Sequence, residues 1–408
     1  MTAAVEFRHV DILFPAAHMG RRERDAMRRA LSLLDGGSSR MQIAEQTGIV
    51  VGVADASLSV ERGEISVLMG LSGSGKSTLL RAANGLNRVT RGQVLVGGPS
   101  GNGDIVDVAA CDRASLRQVR RERVAMVFQQ FGLLPWRTVR ENVGLGLELR
   151  GVAPLERQRV VDEKLALVGL KDWADRYASE LSGGMQQRVG LARAFATEAD
   201  ILLMDEPFSA LDPLIRTKLQ DELLMLQRQV RKTILFVSHD LDEALKLGNR
   251  ISILEGGRIV QTGAPRDIVL RPVNDYVSEF VQHMNPLNVL TGGMVMRRRE
   301  EFVRDGELLW LGAARRYQVI LDDRGACRAV RIDGVEAVVT PYESFDPTNT
   351  GPNGVVIIAP ESLPLHRLIQ LRQASGHPVL LADDDVISGF CCENEIVRAL
   401  AGRSARTS

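Results

Sequence analysis

The sequence predicts an α/β protein, with a parallel sheet covered by helices on both faces and a smaller second domain. Three observations predict it. Short apolar runs at Ile65–Met69, Val124–Phe128, Ile201–Met204 and Ile234–Val237 have the length and composition of buried strands. Helical stretches separate them, as the crossovers between parallel strands must. A glycine-rich turn joins the first run to a helix expected over Lys76–Leu86. The chain of 408 residues has room for two or three domains.

In order along the chain, Val5–Phe14 reads as a strand of mixed polarity. Arg21–Leu34 carries Met27, Leu31 and Leu34 at spacings of four and three, an amphipathic helix pattern. Gly36-Gly37-Ser38-Ser39 stops it. Its arginines (Arg21, Arg22, Arg24, Arg28, Arg29) read as a solvated face. A short second helix is expected at Arg40–Gln46, which completes a helical insert over residues 15–50. Val53–Val60 alternates apolar and polar residues as a half-buried strand does. After Gly256-Gly257 and a helical stretch at Asn274–His283 the composition shifts, and residues 285–408 contain no Lys. We expect a domain boundary near Asn285–Gly293, dividing the chain into 1–290 and 291–408. The tail holds one well-patterned unit. It runs through an extended segment (Val355–Ile358), a helix (Leu363–Ala374), two strands (Val379–Leu381, Val386–Phe390) and a last helix (Cys392–Leu400). Val295–Thr348 is rich in short strands.

Composition narrows the class. Hydrophobic residues are 45% and charged residues 25%, so there is ample apolar surface to bury and disorder over the whole length is excluded. Lys+Arg and Asp+Glu are both 51, which argues against a general nucleic-acid binder. Arg outnumbers Lys by 45 to 6, read as composition bias. No window of 18 apolar residues predicts a membrane span. Met1–Val10 lacks the pattern of a secretory signal. Cys111, Cys327, Cys391 and Cys392 fit no zinc spacing; free thiols are expected, with a vicinal Cys391–Cys392 sensor as the alternative.

The chemistry concentrates in three motifs. Gly70-Leu71-Ser72-Gly73-Ser74-Gly75-Lys76-Ser77-Thr78 fits G-x-x-x-x-G-K-[ST], directly after an apolar strand and before a helix. Its glycines let successive N–H groups curl around phosphate oxygens, and the helix start adds partial positive charge. Lys76 is expected to reach the β/γ-phosphates and Ser77 to ligate Mg²⁺. Ile201-Leu202-Leu203-Met204-Asp205-Glu206 is a buried strand ending in two carboxylates. Asp205 can hold Mg²⁺, and Glu206, pointing differently, can accept a proton from an attacking water. Leu181-Ser182-Gly183-Gly184-Met185-Gln186 opens a second helix with another anion-binding turn. One γ-phosphate cannot be met by two such helix starts of one chain. The physical reading is a head-to-tail dimer, each loop closing on the nucleotide of the other protomer.

Here the residues resemble the ABC-type ATPases. Leu181–Ala194, LSGGMQQRVGLARA, is similar to their signature. The resemblance implies a P-loop NTPase fold with a helical subdomain, the cofactors ATP and Mg²⁺, and further site residues. Gln129 matches the glutamine that senses Mg²⁺ and the attacking water. Ser209-Ala210-Leu211-Asp212 matches the loop that contacts the opposite protomer, and His239 matches the switch histidine at the γ-phosphate. Family members often carry an aromatic before the phosphate loop that stacks on adenine. Val53–Val60 offers none, leaving Phe14 as either that platform or plain core.

Phe131–Val143 resembles the importer segment that docks a membrane permease, with Leu133, Leu134 and Trp136 as docking groups or as internal packing of the helical subdomain. The insert, Met204–Arg216 and Asp240–Ala244 are similar to the quaternary-amine uptake branch, and Val10–Phe14 with Phe280–Leu290 looks closest to its choline importers. The tail over 355–402 resembles one cystathionine-β-synthase-type module, with 295–350 a doubtful first half. It would bind a nucleotide, sense ionic strength, or only dimerise. The resemblance implies an ATPase subunit on the cytoplasmic side of a membrane, a homodimer working with permease subunits and indirectly a periplasmic solute-binding protein, and no nucleic acid. The alternatives are an importer of another small solute and a soluble ATPase acting on nucleic acid.

Overall fold

The computed structural model describes residues 3–16, 20–98, 105–282, 290–305, 308–311, 315–346 and 354–400. It divides into two compact units, Met1–Pro265 and Arg266–Ser408. The expected boundary at 290/291 therefore falls inside the second unit, and residues 285–289 of the segment Asn285–Gly293 that suggested it lie outside the described residues. The helix there, Asp275–Gln282, belongs to the second unit.

The first unit holds two sheets. One is antiparallel, in the order β2-β1-β4-β5, from β1 (Ala3–Pro15), β2 (Ile49–Glu61), β4 (Arg91–Val96) and β5 (Val106–Asp107). The other runs β10-β9-β3-β8-β7-β6, from β3 (Ile65–Met69), β6 (Val124–Val127), β7 (Ile201–Asp205), β8 (Thr233–Val237), β9 (Arg250–Glu255) and β10 (Arg258–Gly263). Five of its strands are parallel and β10 closes the edge antiparallel. The runs predicted as buried strands are β3, β6, β7 and β8. β3, β7 and β8 are buried at every position, so both faces are covered.

Sequence patterning did not foresee the separate antiparallel sheet. Val5–Phe14 and Val53–Val60 pair with each other across the insert, Phe14 opposite Val50. The core lies between the sheets: Phe7, Val10 and Val60 from one, Leu68, Leu203 and Leu235 from the other, with Leu79 and Leu80 of the helix Lys76–Ala82. That helix stops four residues before the expected end. The helices Val139–Leu149, Pro154–Leu167 and Gly183–Ala196 pack on one another as a helical subdomain.

The second unit is built on one nine-stranded mixed sheet, whose first strands in chain order are β11 (Arg297–Arg298), β12 (Val303–Asp305) and β13 (Leu308–Trp310). β17 (Val355–Pro360), β18 (Val379–Asp383) and β19 (Val386–Cys391) come with helices Leu365–Ser375 and Glu393–Leu400, near the expected bounds. Side chains alternate across these strands. Val355, Ile357, Val379 and Leu381 enter one core; Val356, Leu380 and Ile387 enter the other. The stretch suspected of being a first half-module is instead an antiparallel ribbon. It includes β14 (Tyr317–Leu321), β15 (Cys327–Ile332) and β16 (Val335–Pro341), and β16 then runs parallel to β17. All four cysteines are free. Burial pushes the thiols of Cys327 and Cys391 up, Cys327 to about 11, the opposite of a reactive sensor.

Candidate nucleotide site

The phosphate loop leaves β3 at Gly70 and enters the helix at Lys76. Two of its glycines are obligatory. A Cβ on Gly70 (φ +140°) would lie 2.2 Å from the Leu254 carbonyl oxygen, and one on Gly75 (φ +101°) 2.4 Å from that of Gly52. Lys76 Nζ donates to the carbonyls of Gly70 at 2.8 Å and Leu71 at 3.0 Å, inside the loop. Burial pushes its pKa down, partly opposed by Glu206 and Asp205. The Ser74 hydroxyl is buried with no hydrogen-bond partner in the protein. An orphaned hydroxyl among converging N–H groups suits an oxygen-rich anion.

At the helix start, the Ser77 hydroxyl donates to Asp205 Oδ1 at 2.7 Å. Asp205 is fully buried, and its other oxygen takes a 2.8 Å ion pair from Arg81. A serine and a carboxylate at this distance are hard oxygen donors of the kind Mg²⁺ selects, so the residues fit the ion. Arg81 was missed in the sequence. Its signal was spacing: four residues after Ser77 it shares that helix face.

The chain turns sharply after Asp205. Glu206 has φ +47°, its N–H donating to the Val237 carbonyl at 3.1 Å. A bulky residue held there is strained and over-determined by its surroundings. The turn sends the Glu206 carboxylate to a different place from Asp205. Gln129 Nε2 donates to Glu206 Oε2 at 3.2 Å, and His239 Nδ1 lies 3.4 Å from the same oxygen. Gln129, expected at the attacking water, and His239, expected at the γ-phosphate, thus both lie at the Glu206 carboxylate. Behind His239 the neighbouring Ser238 hydroxyl donates to Glu243, which also takes a 3.0 Å bond from Gln220. Burial pushes the Glu243 carboxyl up despite both bonds.

Ser182 caps the signature helix, accepting from the Met185 N–H at 3.4 Å, and stands exposed with Gly183. Gln186 donates to the carbonyls of Ala178 and Leu181 and steadies the turn. The residue that joins this helix to the carboxylate strand was not singled out. Gln187, 1% exposed, donates to the Glu206 carbonyl at 3.2 Å and accepts from the Ala210 N–H at 3.1 Å. One amide therefore binds the signature helix, the strained Glu206 turn and the Ser209–Asp212 loop. Gly184 is also close-packed there, its Cβ position 3.3 Å from the Ala210 carbonyl.

Two more unforeseen residues hold the segment after Gln129. Buried Asn142 donates to the carbonyls of Leu134, Arg137 and Thr138 and accepts from the Leu134 N–H. Arg193, from the signature helix, donates to the carbonyls of Phe131 and Gly132. Trp136, 70% exposed, is presented by this braced loop, while Leu133 and Leu134 are half-buried. Phe14 is partly exposed at the end of β1, its ring 2.8 Å from the Cβ position of Gly52, which also lies 3.2 Å from the Thr78 methyl.

A family model described as ABC transporter matches residues 53–209. The chain is 42% identical over 388 residues, 91% of this chain and 93% of the other, to a glycine betaine/proline betaine transport ATP-binding protein of Escherichia coli. It is 41% identical over 93% of its length, and 95% of the relative's, to a glycine betaine/carnitine transport ATP-binding protein of Listeria monocytogenes. The chain belongs to the ATP-binding proteins of ABC transporters. A dimeric bacterial ABC transporter cassette of known structure is similar at a TM-score of 0.53 and 28% identity, covering 64% of this chain and 98% of that one. A post-hydrolysis state of such a cassette, bound to ADP and phosphate, matches equally. This ATPase therefore has the α/β cassette fold expected of it. No helix among its described residues is long and apolar enough to cross a membrane.

The Gln187 bridge yields a testable expectation. Gln187→Ala strands the Glu206 carbonyl and the Ala210 N–H in the interior, at about 1–3 kcal/mol of stability for each. Because Glu206 itself remains, nucleotide affinity should stay within about twofold while single-turnover hydrolysis slows roughly 10-fold. Gln187→Glu keeps the acceptor for Ala210 but sets a buried carboxylate against the Glu206 carbonyl, so it should slow hydrolysis at least as much. A wild-type single-turnover rate in Gln187→Ala would remove the bridge from the mechanism.

Proposed function

We propose that the chain is one of two identical ATPase subunits that power uptake of glycine betaine or a related quaternary amine through a membrane permease. The observation that carries this is similarity over nine-tenths of the chain to subunits named for betaine transport, with the whole hydrolytic set present. The relatives are named for betaine and carnitine transport, so we take the betaine reading over choline. Of the segment 280–290 that suggested choline, residues 283–289 lie outside the described residues. Reconstituted with its permease and solute-binding protein, ATPase activity should rise on adding glycine betaine or proline betaine. Stimulation by an unrelated solute and by neither betaine nor choline would overturn the assignment.

In the mechanism we propose, backbone N–H groups from Gly70 to Thr78 cradle the phosphates and Lys76 neutralises the β/γ oxygens. Ser77 and Asp205 would hold Mg²⁺, with Gln129 beside it; the ion would supply charge neutralisation between the phosphates. Glu206 accepts the proton of the attacking water, and Gln129 and His239 orient that water and the γ-phosphate. Ser182, Gly183 and Gly184 with Met185 meet the γ-phosphate bound by the partner, and Ser209–Asp212 packs at that dimer face. Catalysis is mostly positioning and charge stabilisation. The exposure of Trp136 on its braced loop supports a permease contact there, and the place of Phe14 beside Gly52 and Thr78 supports the adenine platform.

Glu206→Gln keeps the shape and loses the base, so hydrolysis should fall 10²–10⁴-fold, a barrier of about 3–5.5 kcal/mol. Binding should survive, and the loss of one negative charge at each γ-phosphate should favour the closed dimer. Size-exclusion chromatography with Mg·ATP should show a dimer. A monomer that hydrolyses at the wild-type rate would refute the base assignment and the facing-loop dimer together.

We further propose that the second unit regulates the first through a cystathionine-β-synthase-like module at 355–402. The strand–helix–strand–strand–helix order over 355–400 supports it. Its separate cores support removal as a block. A chain ending at Pro265 should hydrolyse ATP within a few-fold of the full rate but respond differently to salt or to an added nucleotide. An unchanged salt and nucleotide response would end the regulatory reading.

A further inference from the structure

The hydrolytic mechanism leaves the insert between β1 and β2 without a task. It is a built piece of structure. Ala30 and Leu34 of the helix Glu23–Asp35, and Ile43 of the helix Arg40–Thr47, pack against Leu13, Ile49, Val51 and Ala54 in a small core of their own. The start of the second helix is set by a reciprocal cap. The Ser39 hydroxyl accepts from the Gln42 N–H at 3.3 Å, and the Gln42 side chain accepts from the Ser39 N–H at 2.9 Å. Gly48, at φ +66°, ends it. The first residue inside this capped helix is Arg40. Its Nη1 donates to the Gly73 carbonyl at 3.1 Å.

Gly73 is the exposed apex of the phosphate loop, at φ +76°. A loop that turns successive N–H groups inward on an anion turns carbonyls outward, where water or a side chain can donate to them. At Gly73 the insert supplies that donor. A guanidinium stays charged at any working pH, so the bond is charge-assisted. It also polarises the Gly73–Ser74 peptide, which strengthens the N–H at its other end as a donor. That N–H belongs to Ser74 and donates to the Leu71 carbonyl at 3.2 Å, which closes the loop on itself around the partnerless Ser74 hydroxyl.

We propose that Arg40 is a nucleotide-affinity residue. The insert delivers its guanidinium to the outer side of the phosphate loop, where it holds the Gly73–Ser74 peptide in the loop's folded geometry and adds one positive charge near the phosphate site. This rests on the phosphate-loop reading of Gly70–Thr78. The Gly73 bond is made before any transition state and favours bound nucleotide uniformly, so it acts on KM and not on kcat. Part of its action is charge at a solvent-exposed bond, so salt weakens that part.

The test uses the full-length chain, Mg·ATP and Mg·ADP, and titration with a fluorescent analogue beside steady-state hydrolysis. Arg40→Ala should raise Kd for both nucleotides, and KM for ATP, about 3–10-fold at low salt. Its kcat should stay within about twofold, and the deficit should shrink as salt is raised. Arg40→Lys should recover most of the low-salt affinity through its charge. Arg40→Gln, a donor without charge, should recover the salt-independent remainder. Lys76→Ala is the control. If it loses nucleotide while Arg40→Ala binds as wild type, the Arg40 assignment falls and the phosphate loop stands. If Lys76→Ala binds nucleotide normally, the phosphate-loop reading falls as well. A drop in kcat at unchanged KM in Arg40→Ala would also overturn the affinity role.

Discussion

A buried carboxylate at the end of β7 constrains most of the site. Asp205 has no exposed surface, and an unpaired anion there would cost several kcal/mol. Arg81 and Ser77 offset that cost, and both come from the helix that follows the phosphate loop. Strand and loop therefore cannot shift independently. One residue later the backbone passes through φ +47°, so adjacent carboxylates of one strand serve two separate places. Asp205 faces the helix, while Glu206 faces Gln129 and His239.

Much of this was legible in the sequence because its signals are local. The phosphate loop, the acid pair after β7 and the Ser-Gly-Gly helix start each put their chemistry within a few consecutive residues. β3, β7 and β8 could be read from unbroken apolar runs because sheets covered on both faces write no alternation. What was not legible is long-range. Gln187 meets partners 19 and 23 residues away, and Arg193 meets carbonyls 61 and 62 residues away. A buried glutamine or arginine in a helix carries no mark of which carbonyl it will meet. The antiparallel sheet was hidden for a similar reason. Its strand partners are split by the insert, so the pairing of Phe14 with Val50 has no local trace. The domain boundary was misjudged because composition changes near residue 285, whereas compactness changes at Pro265.

The second unit illustrates the same rule. The 355–400 elements were readable because β17 and β18 are buried on both faces and their helices are capped by turns such as Gly376 at φ +71°. The ribbon before them was not, because β15 and β16 mix exposed Arg and Glu with scattered apolar positions. Val330 and Ile332 enter a core, while Arg328 and Arg331 are exposed. Such strands are defined by their pairing and not by their own composition.

Gln187 gives the closed dimer a physical route for coupling its two sites. Ser182, at the exposed start of the signature helix, is the residue proposed to meet the partner's nucleotide. Gln187 lies five residues on, about 7.5 Å along the axis, and faces the interior. A helix is stiff over that distance, so a shift imposed at Ser182 must move the Gln187 amide. The amide holds the Glu206 carbonyl and the Ala210 N–H together, and it cannot move without straining either bond. Two-fold symmetry makes the relation mutual, since each protomer's base is referred to the nucleotide of the other. In the proposed facing dimer, hydrolysis at one site would then depend on occupancy of both. The link is a single hydrogen-bonded side chain, not a long relay of contacts.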